Sequence, residues 1–338
     1  MSRLYIHGCG VVSPAGWGLN PFLNALDAGM PLPVQKVARP GWTTDLTVRM
    51  VPDPAVRPAF LAHPRLRRSS RMTQHVVAAA LEALGDESQA VMEGRLRLGV
   101  IVCMMAGGVS YSRRFYQEVL DQPGTASPLI FPETVFNASA SHLSAYLQSE
   151  LANATLVGDE GTFLQGVALA ADWLEWGQAD ACLVIGTEEM DWIVADAVRL
   201  FNRRTVYAGG AGALLLKKDI SSAICLRDIT DSWSYLTGQN RETAALKMAG
   251  QWGDVAADEV IYAGESQTVL STRYPNSRKA VKPILGEAFV ASAAWQCVAA
   301  CLALGRGDCA SALVEILGTN QQAIGARFAA RRCGEPGQ

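Results

Sequence analysis

A chain of 338 residues is long enough for one large or two ordinary domains with a sizeable core. It is 49% hydrophobic and only 18% charged, a balance that large buried interfaces produce. The formal net charge of −3 argues against a polyanion-binding surface and so against nucleic acid as a partner, and no apolar run is expected to span a membrane. The N-terminus lacks a signal-peptide layout, and the eight cysteines form no Cys-x-x-Cys pair. A reducing cytoplasm, no metal site and no cofactor are the expectations.

Leu4-Tyr5-Ile6 predicts a strand running into Gly8-Cys9-Gly10-Val11-Val12-Ser13-Pro14. A dinucleotide loop would need a third glycine and a helix where Pro14 stands. Residues 31–60 are proline-rich and aperiodic, which predicts an ordered surface excursion. Arg65, Arg67, Arg68 and Arg71 then precede a helix over Met72–Leu84; cations at a helix start oppose its dipole and need acidic or backbone partners. Leu98–Cys103 predicts a buried strand, and a helix is expected to begin in the segment Phe131–Asn137.

The stretch from Thr155 to Glu188 organises the chain. A strand through Leu156 and Val157 enters Gly158-Asp159-Glu160-Gly161, and Phe163, Val167, Ala170, Ala171 and Leu174 then recur at helical spacing. Gly177 ends that helix, and Ala181–Gly186 is a short apolar strand of the kind buried on both faces. Such a turn often exposes a nucleophile, yet its apex holds Asp159 and Glu160. Helix capping is the plain alternative for both carboxylates. Tyr207–Leu216 carries Gly209, Gly210 and Gly212 into another strand; no Lys-Ser/Thr follows, so a tight turn rather than a phosphate cradle is expected. The second half repeats the theme with strands at 223–228, Glu259–Tyr262 and Ala312–Leu317 and a helix at Ala288–Leu304.

Thr155–Glu188 resembles the nucleophile turn of the β-ketoacyl synthases of the thiolase superfamily. Gly177-Gln178-Ala179-Asp180 is similar to the stretch those enzymes carry one helix after their Cys, and the interval puts Glu160 at the Cys position. The opening at Gly8–Pro14, the glycine run at 209–212 and Leu317-Gly318-Thr319-Asn320 also resemble family motifs, so the likeness covers residues 4 to about 328. It implies an α/β thiolase-like fold, with two similar βαβαβ halves in a layered α-β-α-β-α arrangement. The halves would be 1–217, with a dimerisation and tunnel insertion, and 218–338.

A decarboxylating ketosynthase needs a thiolate for the acyl chain and two imidazoles for the enolate oxygen. The resemblance places Gly264 at the first His position and Glu287 at the second, with Lys282 retained. The four histidines, His7, His63, His75 and His142, match neither motif. Glu160 and Glu287 would face one former active site, where two carboxylates repel unless Lys282 neutralises them. An acid/base pair and an inert ion pair are both open.

Chain-length-factor subunits are ketosynthase relatives that also lack the Cys and carry a Gly-acidic-Gln-Ala-Gly run there. The similarity implies a non-catalytic subunit, in heterodimer with an active ketosynthase and meeting acyl carrier protein through it. The segment Val109–Leu120 resembles the factor's tunnel-closing helix. Val109, Tyr111, Phe115 and Tyr116 are its candidate tunnel residues, with ordinary interface packing as the alternative. Leu285–Phe289 points to an aryl-polyene or related type II polyketide system. Two other classes stay open: an acyl-thioester enzyme using Glu160 and Glu287, and a homodimeric acyl-binding scaffold.

Overall fold

The computed structural model describes residues 4–235, 240–253, 255–256, 258–265 and 278–331. Ser266, Gln267 and Thr268, which flank the first His position, and Cys333 lie outside these. Ten strands form the continuous part of one sheet. In chain order they are β1 (Leu4–Ser13), β2 (Leu98–Met104), β3 (Asn153–Val157), β4 (Ala181–Glu188), β5 (Gly210–Lys217), β6 (Ile224–Ile229), β7 (Val260–Ala263), β8 (Arg278–Ala280), β9 (Ser311–Leu317) and β10 (Gln322–Ala330). Their order across the sheet is β8-β7-β9-β10-β6-β1-β5-β4-β2-β3. Read outward from the antiparallel β1–β6 pair, each half has two antiparallel contacts followed by two parallel ones. One topology is therefore used twice.

Alternation along the strands creates the layers, because side chains of period two point to opposite faces. In β2, Val100 and Val102 join Leu183, Ile185 and Leu215 against helices α1 (Arg71–Leu84) and α2 (Ala138–Leu147). Ile101 and Cys103 point the other way, with Val184 and Leu214, onto α3 (Thr162–Glu175) and α4 (Phe289–Arg306). Those two helices also pack on Val314, Ile316 and Phe328 of the second half. The far face of that half, through Ile261, Leu313 and Ala323, is covered by α5 (Arg241–Gln251). The five layers are those the resemblance implies.

Helix α4 is the exception to the expectation that no segment suits a membrane span. Its 18 residues are long and apolar enough, but 83% of them are buried inside the protein, between the two halves. Two other expectations change. The proline-rich excursion forms a hairpin of Gln35–Val37 with Leu46–Arg49, and it buries Leu46 and Val48 rather than only crossing the surface. The helix expected from Phe131 begins at Ala138, after a short 3₁₀ turn over Phe131–Glu133 where Pro132 occupies the first turn.

The opening glycines serve packing. A Cβ on Gly8 or Gly10 would fall 1.8 or 1.9 Å from the carbonyl oxygens of Ala83 or Ala79 in α1, so only glycine lets helix and strand meet. Gly210, at φ +149°, likewise brings β5 against Val12.

Candidate functional site

The turn between β3 and α3 lies where the two halves meet, opposite the turn between β9 and β10. Asp159 is fully buried and accepts hydrogen bonds from the backbone amides of Gln321 (2.9 Å) and Gln322 (3.2 Å) and from Nε2 of Gln322 (3.1 Å). Its own amide donates to Oε1 of Gln321. Gly318 has to be glycine here, since a Cβ would lie 1.9 Å from Oδ2 of Asp159. Burial, with the neighbouring charge of Glu160, raises the Asp159 carboxyl above its ordinary range despite these bonds.

Glu160 is equally enclosed. Its Oε2 accepts from the Thr319 amide and its Oε1 from the Thr319 hydroxyl, both at 2.7 Å. Nζ of Lys282 lies 3.2 Å from Oε1 of Glu160 and 2.6 Å from Oε2 of Glu287. The three side chains are 1%, 10% and 12% exposed, so this is a buried carboxylate–ammonium–carboxylate cluster. Burial works against ionising Glu160, but the Lys282 ammonium and the Thr319 donors outweigh it and hold its carboxyl below the usual value. For Glu287 burial prevails and the carboxyl is raised. Burial alone would make Lys282 easier to deprotonate; the two carboxylates reverse this and keep it firmly charged. Helix capping alone does not account for the acidic turn, because most of these bonds run to the opposite half.

Gly264 completes the constellation. A Cβ there would lie 2.8 Å from Cε of Lys282 and 3.0 Å from the Gln296 amide, so the lysine stem fills the space an imidazole would need. With its amide turned to satisfy both neighbours, Gln296 accepts from the Gly264 amide and donates to the Glu315 carbonyl. About 10 Å³ remains free between Glu160, Gly264, Lys282 and Gln296, the threshold for a single water.

None of the four histidines lines this cluster. His142 meets Glu133 at 2.5 Å, and Glu133 also accepts from the Ser70 amide, so this histidine ties α1 to α2. His75 is buried against Trp17, and burial pushes its pKa down to about 3. His7 faces the Asp219 carbonyl and His63 packs edge-on against Tyr146.

Sequence reasoning missed Glu188, at the end of β4. It is fully buried, accepts from the amides of Met105 (2.5 Å) and Ala106 (3.1 Å), and burial pushes it up to about 8. The signal was present as a Glu-Glu pair closing an otherwise apolar strand. Glu189 similarly accepts from the amide and hydroxyl of Ser110, which seats the start of helix α2′ (Val109–Asp121). Phe289, at φ +40°, is held in its left-handed conformation by Oε1 of Glu287, which accepts its amide at 2.8 Å.

Beside the charged cluster opens a cavity of about 660 Å³. Glu287, Glu265, Arg241 and Thr319 are among its polar lining, and Met105, Val109, Val198 and Phe289 among its apolar walls. Val109 also borders a more open groove of about 490 Å³ with Ser112, Phe115 and Tyr116. Tyr111 points elsewhere, donating its hydroxyl to the Arg68 carbonyl at 3.0 Å.

No family model matches the chain. Over 191 residues, 55% of the chain, it is 26% identical to a 3-oxoacyl-[acyl-carrier-protein] synthase 2 of Coxiella burnetii, covering 45% of that protein. The match thus spans less than half the length of the curated relative. The fold is similar to that of the ishigamide ketosynthase/chain length factor, with a TM-score of 0.79 at 17% identity over 98% of this chain and all of that one. It is also similar to a ketosynthase in complex with its chain length factor from Xenorhabdus doucetiae, with a TM-score of 0.76 at 15% identity over 98% of both chains.

Proposed function

We propose that this ketosynthase-like protein of thiolase-like fold is a non-catalytic subunit of chain-length-factor type. The observation that carries the reading is Glu160, which stands at the nucleophile turn and is tied to Lys282 and Thr319 with room for no more than a water. A carboxylate so held is a poor acyl acceptor, and no imidazole is at hand to stabilise an enolate. The same ion pairing disfavours an acyl-thioester enzyme working through Glu160 and Glu287.

What supports a partner is the surface. Strand β3 is the outer edge of its half of the sheet, and its Val157 is 52% exposed. Phe131, Phe136 and Tyr116 are exposed as well, and Phe201 is 89% exposed beside the large cavity. An apolar face of this kind is expected to be covered. We assign it to an active β-ketoacyl synthase, whose acyl tunnel this subunit would shape during polyketide, polyene or fatty acid elongation. An aryl-polyene system is the specific case the sequence favours. Carrier protein would engage through that partner.

Co-expression with a ketosynthase of the same genome that keeps an intact Cys-His-His set tests the reading. The expected result is higher soluble yield and one co-migrating heterodimer that condenses malonyl and acyl carrier-protein substrates. A well-behaved monomer or homodimer at micromolar concentration that ignores every such ketosynthase would overturn it.

A further inference from the structure

The hairpin that sequence reasoning left on the surface brings an unusual group inside. Arg49, the last residue of Leu46–Arg49, is only 6% exposed. Its Nε donates to the Leu32 carbonyl at 2.9 Å, which leaves the two terminal nitrogens of the fork unused. Among the described residues no carboxylate pairs with it. Burial lowers its affinity for the proton, and no neighbouring charge offsets this. The stem of Arg49 is enclosed while the terminal nitrogens stay open to a cavity and have no counter-charge, whereas other largely buried cations of this protein are paired. Arg278 has Glu315 and Lys282 has two glutamates.

The guanidinium faces a cavity of about 330 Å³ that also receives Arg204, Asn202 and Thr205 from the segment after the helix Trp192–Phe201. The wall toward the degenerate site holds Lys282, Glu287 and Glu265. Glu287 is already taken by Lys282 and the Phe289 amide, and Glu265 faces Arg241 at 3.6 Å. The two arginines therefore set the sign of the space still open.

We propose that this cavity is a phosphate-binding site, with the free end of the Arg49 fork and Arg204 gripping the oxygens of a phosphate group. A carboxylate offers two oxygens in one plane. Two guanidinium groups from separate elements, together with the Thr205 hydroxyl and Asn202 amide, supply donors for a group with oxygens on several sides. The volume admits a phosphate with a few attached heavy atoms, so either the free ion or a small phosphorylated molecule fits. This site goes beyond the proposed subunit role and does not rest on it.

The test uses the full-length chain, with calorimetry and ³¹P NMR at constant ionic strength. Inorganic phosphate and glycerol phosphate are the probes, with acetate and chloride as controls. Saturable phosphate binding is expected, weakened about tenfold or more in Arg49→Gln, as loss of one charge-assisted contact implies. Arg204→Gln, on an exposed side chain, reports on the same site without touching the hairpin and should also weaken binding. Tighter binding of glycerol phosphate would identify the source as a phosphorylated small molecule, and binding of the inorganic ion alone would identify the free anion. Either supports the site. Acetate or chloride acting as well as phosphate, or unchanged binding in both variants, would overturn it.

Discussion

Replacing Lys282 with Met keeps the stem that fills the space beside Gly264 and removes only the ammonium. Two buried carboxylates, Glu160 and Glu287, then lose the cation that lies 3.2 and 2.6 Å away. Removing one partner of a buried pair costs about 3–5 kcal/mol, because the remaining charge has no counter-ion. The pH dependence supplies the signature. In the wild type the Glu160 carboxyl is held low, so its contribution is present above the unfolded value of about 4.3 and is lost as pH falls through the lower folded value. Without Lys282, burial dominates and the folded value should rise above 4.3. That reverses the sign: stability is then lost as pH rises through the window between the two values. Urea denaturation should therefore find Lys282→Met most impaired at pH 8 and closer to wild type at pH 5. Glu160→Gln combined with Lys282→Met should recover part of the loss at pH 8, because only one carboxylate remains. Wild-type stability of the single variant at pH 8, or an equal deficit at both pH values, would refute the electrostatic account.

The isolated chain should form no carbon–carbon bond from malonyl and acyl carrier-protein substrates, and Glu160→Cys alone should not restore it, as followed by radiolabelled product. Adding Gly264→His should destabilise the fold by about 1–3 kcal/mol in the same urea assay, since its Cβ would meet Lys282 at 2.8 Å. In the co-purified pair, Tyr116→Ala or Phe115→Ala should lengthen the product read by mass spectrometry. A dimer loosened by about 3–5 kcal/mol with unchanged product length would instead assign these rings to packing.

Much of the fold was legible because its signals are local. The continuous apolar run of β4 and the period-3.6 face of α3 need no knowledge of their neighbours, and both formed where expected. Gly177, at φ +67°, ends α3 as its position implied. The strand start at Gly8–Gly10 was less legible, because its glycines answer to the α1 backbone some seventy residues away. Pairings across the site were hidden for the same reason. Asp159 and Glu160 read equally well as caps, and only the approach of Thr319, Gln321 and Gln322 shows what their oxygens accept. Arg49 gave no signal at all: a lone arginine in a proline-rich excursion carries no mark of burial.

The acidic turn changes what the centre of such a fold can be asked to do. A nucleophile needs a reacting atom that is free of ion pairs and open to substrate, however firmly its turn is packed. Here both carboxylates of the turn are fastened to the segment 319–322, and Lys282 bridges to Glu287 at the head of α4. Each such tie is charge-assisted, and those of Asp159 and Glu160 are shielded from water, which makes the junction stiff. Glu287 and Thr319 belong both to this junction and to the polar lining of the 660 Å³ cavity, so the cavity has a fixed floor. Its apolar walls come from Met105, Ala106 and Val109 around the start of α2′, from Phe289 of α4, and from the helix Trp192–Phe201, which carries the exposed Phe201. Substitutions in the apolar walls would alter the volume while leaving the charged cluster of Glu160, Lys282 and Glu287 intact.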